Sequence, residues 1–477
     1  MNNQKQEVPL YEALKKRSDQ NPISFHVPGH KGGLVFNKEG IESYEKLLQI
    51  DLTELAGLDD LHAPQGVIAK SQALAARWFG VESTYFLVGG STVGNLAMIL
   101  ATCHPGGKVI VQRNSHKSIL NGLELSGSLP VFVAPDYDES VDRYSAPSVN
   151  TLKQAITCHP DATAIILTYP DYFGRTYDIE SVIIYAHQHN IPVLVDEAHG
   201  VHFSLGAIFP ASSVELGADV VVQSAHKMAP AMTMASYLHT NTSLVSSDKI
   251  KRYLQMLQSS SPSYPLMASL DLARAYLEQI TADNIRDLQK SINKLRSELN
   301  KSDFWEVIPL KTGIDDPLKI TIQVKGGYTG KKAAELFEKE RLVPELSTHN
   351  QILFIHGLTP FEQWGTLIEA IEKINEQLKI VPKHATIDDN NIIINEPIQS
   401  LAFSYQEMSK KKTKFISWEL ANGKIAAEAV IPYPPGIPLI VKGEIVTERH
   451  INMVKYLLSK GISFQNRDIN NGIYLFL

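Results

Sequence analysis

Between residues 84 and 227 short apolar runs alternate with amphipathic stretches, and this alternation limits the fold more than any other feature of the chain. The runs are TYFLV (84–88), KVIVQ (108–112), PVFVAP (130–135), TAIILTYP (163–170), PVLVDEAHG (192–200) and DVVVQSAHK (219–227). Unbroken apolar runs of this length suit strands buried on both faces. The stretches between them, such as GGSTVGNLAMILATC and DIESVIIYAHQHN, carry helical spacing. Strand–helix–strand repeats predict βαβ units, hence an α/β fold around a mostly parallel sheet. In such sheets ligands bind at the carboxyl ends of the strands, so chemistry is sought there.

The remaining segments divide the chain further. A short amphipathic helix is expected over 8–20, a breaker-rich loop over 24–33 (SFHVPGHKGG) and a helix over 66–79. A long helix from Ala268 to Leu299 leads into a second strand–helix pattern, KITIQV, GKKAAELFEKERL, QILFIHG and EQWGTLIEAIEKINEQL. The polar stretch around 381–397 reads as a linker. The predicted division is an N-terminal segment (1–65), a large domain (66–267), a small α/β domain (268–380) and a C-terminal α+β domain (398–477).

Bulk properties exclude several classes. The chain has 477 residues, enough for two or three cores, with 45 basic against 51 acidic side chains and a net charge of −6. That balance gives no reason to expect a nucleic-acid partner or an anionic membrane surface. Two cysteines, Cys103 and Cys158, are too few for a disulfide framework, and the two Cys-His-Pro tripeptides lack further ligands, so no metal is expected. With no signal-peptide pattern or membrane-length apolar run, a soluble cytoplasmic protein is expected.

Four pieces fall at the predicted strand ends. Gly89-Gly90-Ser91-Thr92 turns a strand into a helix, where free N–H groups, the helix dipole and two hydroxyls suit a phosphate; an ordinary N-cap explains it equally well. Asp196 ends a strand and can hold a pyridine nitrogen protonated, with the small Ala198 two residues on. His116 and His199 follow strands and can stack on a ring or donate to it. Ser224-Ala225-His226-Lys227 ends the series, and partial desolvation of Lys227 would leave the neutral amine a Schiff base requires. Lys227 lies about one βαβ crossover beyond Asp196. Phosphate cradle, ring acid and amine in that order point to pyridoxal 5'-phosphate (PLP). Among the acidic residues of DLTELAGLDDLH, Asp59 and Asp60 are candidates to meet a basic substrate.

The segments HVPGHKGG, TELAGLDDLHAPQG, YFLVGGSTVGNLA, RNSHKS, VDEAHG, VVQSAHK, SSSPSYP and YPPGIPLIVKGE together resemble the Orn/Lys/Arg decarboxylase family in its compact Gram-positive form. The resemblance implies a fold-type-I, aminotransferase-like large domain with a seven-stranded sheet. It implies Lys227 as the Schiff-base lysine, Asp196 at the pyridine nitrogen, and Gly90, Ser91, Thr92 and Ser224 at the phosphate. His226 would lie near the phosphate and the reacting α-carbon, His116 would stack on the ring, and Ala198 and His199 would complete its surroundings. A homodimer or larger assembly would let Ser260 reach the neighbour's phosphate. The implied reaction is decarboxylation of arginine, lysine or ornithine, feeding polyamine synthesis. An aminotransferase or side-chain lyase on the same fold, or a non-catalytic binding paralogue, are the alternatives. Tyr169, Asp171, Met228 and Ala229 depart from the residues most common in that family.

Overall fold

The computed structural model describes residues 6–380, 396–433, 438–459 and 461–477. Seven strands of the large unit form one sheet: β1 (Ser83–Leu87), β2 (Lys108–Gln112), β3 (Leu129–Val133), β4 (Ala164–Thr168), β5 (Val193–Asp196), β6 (Val220–Gln223) and β7 (Ser236–Thr240). They run in the order β1-β7-β6-β5-β4-β2-β3. Five of them, β6-β5-β4-β2-β3, pair in parallel, while β7 lies antiparallel between β1 and β6. An eighth strand, Ile398–Ser400, comes from the C-terminal part of the chain and pairs antiparallel with β3. The expected seven strands are therefore present, with one edge covered by a short segment from another unit. Covering an edge in this way removes an open row of backbone donors and acceptors.

Successive side chains on each strand point to opposite faces, and both faces are buried. Ile165, Leu167, Val193, Val195 and Val221 join one apolar core, and Ala164, Ile166, Leu194, Val220 and Val222 join the other. This explains the unbroken apolar runs, since neither face meets water. Helix α1 (Gly90–Thr102) lies so close to the second face that a Cβ on Gly94 would come within 2.7 Å of Leu87 and 2.8 Å of Val222. The first face is covered partly by helix Pro9–Asp19 of the N-terminal segment and by helix Val67–Phe79, through Leu10, Leu14 and Ile68.

The stretch read as one long helix is two. Tyr264–Gln279 ends at Ile280, whose backbone is extended, and Ala282–Leu299 restarts behind a capping box of Thr281 and Asn284. Met267, Leu270, Ala273 and Leu277 from the first helix, and Ile285, Leu288 and Ile292 from the second, pack into the large core. Packing thus carries the large unit well past residue 268. Beyond it, strands 305–307, 319–324, 351–355 and 346–347 form a separate antiparallel sheet, backed by helices Gly330–Lys339 and Trp364–Ile380. The expected linker at 381–397 lies outside the described residues except for its last two. The C-terminal unit gathers Trp418, Ala426, Val430, Ile440, Val446, Ile473 and Leu475 into a small core of its own.

Candidate active site

Asp196 is the last residue of β5, in register with Val222 on the adjacent parallel strand β6. One turn of helix, Ala225–Met228, follows β6 and carries Lys227. The parallel pairing therefore brings acid and amine to the same sheet end from residues 31 apart in the sequence. Burial pushes the Lys227 amine below its ordinary pKa, while the charges of Asp196 and Glu345 work against that shift. Lys227 borders a cavity of about 390 Å³ with Met228, Ala229, Tyr276, His356 and Gly357, between the large and small units.

The phosphate end is built from α1 and the β6 turn. Gly89 stands at the N-cap of α1 without a side-chain cap, so the first N–H groups of the helix are free of that competitor. Gly90 adopts φ +75°, and nothing lies within 4 Å of where its Cβ would be, leaving open space over the helix end. Ser91 is half-buried and Thr92 exposed on the first turn. Ser224 Oγ is wholly buried and has no hydrogen-bond partner. An orphaned buried hydroxyl costs free energy unless a ligand completes it. This hydroxyl, one turn of helix from Lys227, fits a phosphate acceptor.

Asp196 is nearly closed to water. One carboxylate oxygen accepts from the Ala198 N–H at 3.2 Å and the other from Asn95 Nδ2 at 2.9 Å. Asn95 Nδ2 also donates to Ser118 Oγ at 2.9 Å, and Ser118 Oγ lies 2.9 Å from His116 Nδ1. His116 is the N-cap of helix Lys117–Ser126 and accepts from the Ser118 N–H. Its ring stays exposed, and the charges of Asp196 and Lys227 both reach it. This chain fixes the orientation of acid and imidazole together. Asn95 and Ser118 escaped sequence reasoning, although a wholly buried asparagine on an apolar helix one turn beyond Ser91 is a usable signal.

On the other side of Lys227 lies His199. Its Nε2 is 3.2 Å from Lys227 Nζ, and its Nδ1 is 2.9 Å from Nζ of a second lysine, Lys319. Tyr172 packs its ring against His199 with centroids 4.5 Å apart, and its hydroxyl donates to Glu345 at 2.6 Å. Burial, with the charges of Lys227 and Lys319 beside it, holds His199 well below the usual histidine pKa, so it is neutral. His226, next to Lys227 in the chain, has its Nδ1 3.3 Å from the Ala235 carbonyl. Lys319, Tyr172 and Glu345 come from loops and strands far along the chain, and no motif flagged them.

Other sequence candidates have different surroundings. Asp59 accepts from the backbone N–H groups of Asp60, Gln65, Gly66, Ile68 and Ala69, which cap helix Val67–Phe79. Asp60 accepts from the His62 N–H. Asp59 is thus committed within this chain to holding a helix end. Ser260 is exposed in the turn before helix Tyr264–Gln279. In the HVPGHKGG loop, His30 pairs with Asp51 at 3.2 Å and Lys31 donates to the His26 carbonyl. Tyr169 and Asp171 serve structure, Tyr169 donating to the Ala211 carbonyl and Asp171 accepting from the Phe173 and Arg175 N–H groups. Among the described residues, no group of three histidine, cysteine or acidic side chains could hold a metal, and no helix is long and apolar enough to cross a membrane.

A parallel-centred sheet with lysine and aspartate at adjoining strand ends and an open helix N-terminus beside them defines a fold-type-I PLP enzyme. The model of the Orn/Lys/Arg decarboxylase major domain matches residues 8–314, and that of the family's C-terminal domain matches 391–466. The chain belongs to this family of PLP-dependent amino-acid decarboxylases. It is 37% identical over 471 residues to an arginine decarboxylase of Bacillus subtilis, covering 96% of this chain and 95% of that one. Its fold matches the lysine decarboxylase LdcF of Francisella novicida with a TM-score of 0.79 at 19% identity, over 98% of this chain and 80% of that one. A serine palmitoyltransferase of Sphingomonas wittichii matches with a TM-score of 0.53 at 17% identity, over 74% and 86% of the two chains.

Proposed function

We propose that this protein removes the α-carboxylate of a basic L-amino acid, arginine, lysine or ornithine, giving the amine and CO2 for polyamine synthesis. The observation that carries the reading is the partly desolvated Lys227 at the strand end next to the one that Asp196 closes. When bound, PLP supplies an electron sink for the pair left behind by departing CO2. Lys227 would hold it through its ε-amine, and Asp196 would keep a proton on the pyridine nitrogen. The N–H groups around Gly90 with Ser91, Thr92 and the orphaned Ser224 hydroxyl would hold the phosphate. His116 offers an open ring face for stacking, and Ala198 gives a small surface opposite. His199 stands beside the reacting amine.

Lys227 or His226 would return a proton to the α-carbon. With Asp59 committed to its helix, Glu345 is the better complement to the substrate's cationic side chain, since its charge already acts on both Lys227 and Lys319. The relatives' printed activities on arginine and lysine support this substrate class. We place the protein in the cytoplasm as a homodimer or larger assembly in which Ser260 serves the neighbouring phosphate.

The test is an assay of arginine, lysine and ornithine with added PLP, measuring CO2 and keto acid separately. CO2 release from at least one of the three, abolished by Lys227→Ala, is expected. Keto acid without CO2 would move the protein to the aminotransferases.

A further inference from the structure

The small unit sends one cation into the site of the large one. Lys319 opens strand 319–324, yet its side chain is only 3% exposed, and its amine ends on His199. A lysine is placed there at a desolvation cost that a surface position would avoid, so its contacts need explaining.

His199 lies between two amines, 2.9 Å from Lys319 on one nitrogen and 3.2 Å from Lys227 on the other. A neutral imidazole has one N–H and one acceptor nitrogen. The neighbour facing the imidazole N–H must be a neutral amine that accepts, while the neighbour facing the other nitrogen donates, most strongly as an ammonium. Two ammonium groups would set an N–H against the imidazole's own N–H. The three groups therefore hold at most one ammonium, whose proton they can share.

We propose that Lys319 is the proton acceptor for Lys227, reached through His199. As Lys227 gives its proton to His199 Nε2, His199 gives the proton on Nδ1 to Lys319. The imidazole changes tautomer and stays neutral, Lys227 becomes the nucleophilic amine, and Lys319 becomes the ammonium. No atom or electron is left over.

The surroundings favour that direction. Burial brings the Lys319 pKa down to about 8, so a minor part of it is the neutral, proton-accepting amine at neutral pH, and more of it as pH rises. Its neighbours Asp316, Glu345 and Asp171 stabilise an ammonium there, while the charge on Lys227 opposes one. Once Lys227 loses its proton, that opposition disappears. Around Lys227 itself burial lowers the pKa, while Asp196 and Glu345 pull toward the charged form, so a nearby acceptor helps to free the amine. His202 and His226 are the other titratable groups acting on His199. Tyr172 covers the imidazole and keeps the exchange away from bulk water. Lys319 is a positioning residue here, acting through His199 and not on the substrate.

This inference rests on the PLP reading above, and its test separates the two. Apoprotein is mixed with PLP, and the rate at which visible absorbance of the lysine linkage appears is followed against pH. The variants are Lys319→Met, which removes the proton acceptor while keeping a chain of similar length, and His199→Gln, which keeps a donor and an acceptor but cannot change tautomer. Both should link PLP about tenfold more slowly than wild type at neutral pH, with the midpoint of the rate profile moved up by about one pH unit. Wild-type rate and midpoint in both variants would overturn the relay and leave the PLP reading standing. Since the two substitutions lie in different units, one folded variant, checked by circular dichroism, suffices. If wild type itself forms no such linkage, the PLP reading falls and the relay with it.

Discussion

Arg113 and Glu444 meet at 2.6 Å with both side chains almost closed to water, joining the strand-end turn after β2 to the C-terminal unit. Arg113 also donates to the carbonyls of Pro438 and Leu439, and Glu444 accepts from the Val441 N–H. Arg113 stands three residues before His116, so this contact braces the segment that carries that imidazole. Glu444→Ala leaves a guanidinium buried and unpaired, and the expected loss is about 3–5 kcal/mol. Denaturant unfolding measures it. A loss of a few tenths would show the contact to be open to water.

Ser224→Ala separates a ligand role from a structural one. The hydroxyl is buried without a partner, so its removal should leave the apoprotein as stable as before or more so. PLP affinity should fall about tenfold, the loss of one hydrogen bond of about 1.4 kcal/mol to a charged group. Fluorescence titration with PLP and thermal unfolding of the apoprotein read the two effects. Lower apoprotein stability with unchanged affinity would assign Ser224 to the scaffold.

Asp59 is expected to act through stability rather than through substrate recognition. Burial raises its pKa, but the backbone donors of Gln65, Ala69, Asp60 and Gly66 outweigh burial and hold the carboxyl below its usual range. A depressed folded pKa gives stability that is present above the unfolded value of about 3.9 and lost as pH falls through the folded one. Asp59→Ala should cost about 1–2 kcal/mol at neutral pH, with the difference from wild type shrinking in acid. The KM for the substrate should not change in the folded variant. A large rise in KM would return Asp59 to the site.

Asp196→Asn keeps the size and one of the two acceptor oxygens, which accept from the Ala198 N–H and from Asn95 Nδ2, while removing the charge. Turnover should fall by at least about 100-fold, the usual cost of removing an electrostatic group aimed at a reacting centre. Near wild-type turnover in a variant that still binds PLP would remove Asp196 from its assigned role.

The parallel core was legible because each strand is buried on both faces and cannot hide its apolar run. Strand β7 was not, since SYLHT mixes polar and apolar residues and follows a segment that reads as small-residue coil. The break at Ile280 was missed because no glycine or proline marks it, and the mark present is the Thr281–Asn284 capping box. Lys227 and Asp196 stood out because each interrupts an apolar run. Lys319 begins KITIQV by the same rule and could have been found by it. What the sequence could not supply was the partner, because His199 lies 120 residues away on another unit.

The most direct test of the central claim is borohydride reduction of the PLP-loaded protein, followed by peptide mapping. A pyridoxyl group on the peptide containing Lys227, and on no other, is the predicted result. Label on Lys319 or another lysine, or on none, would contradict it.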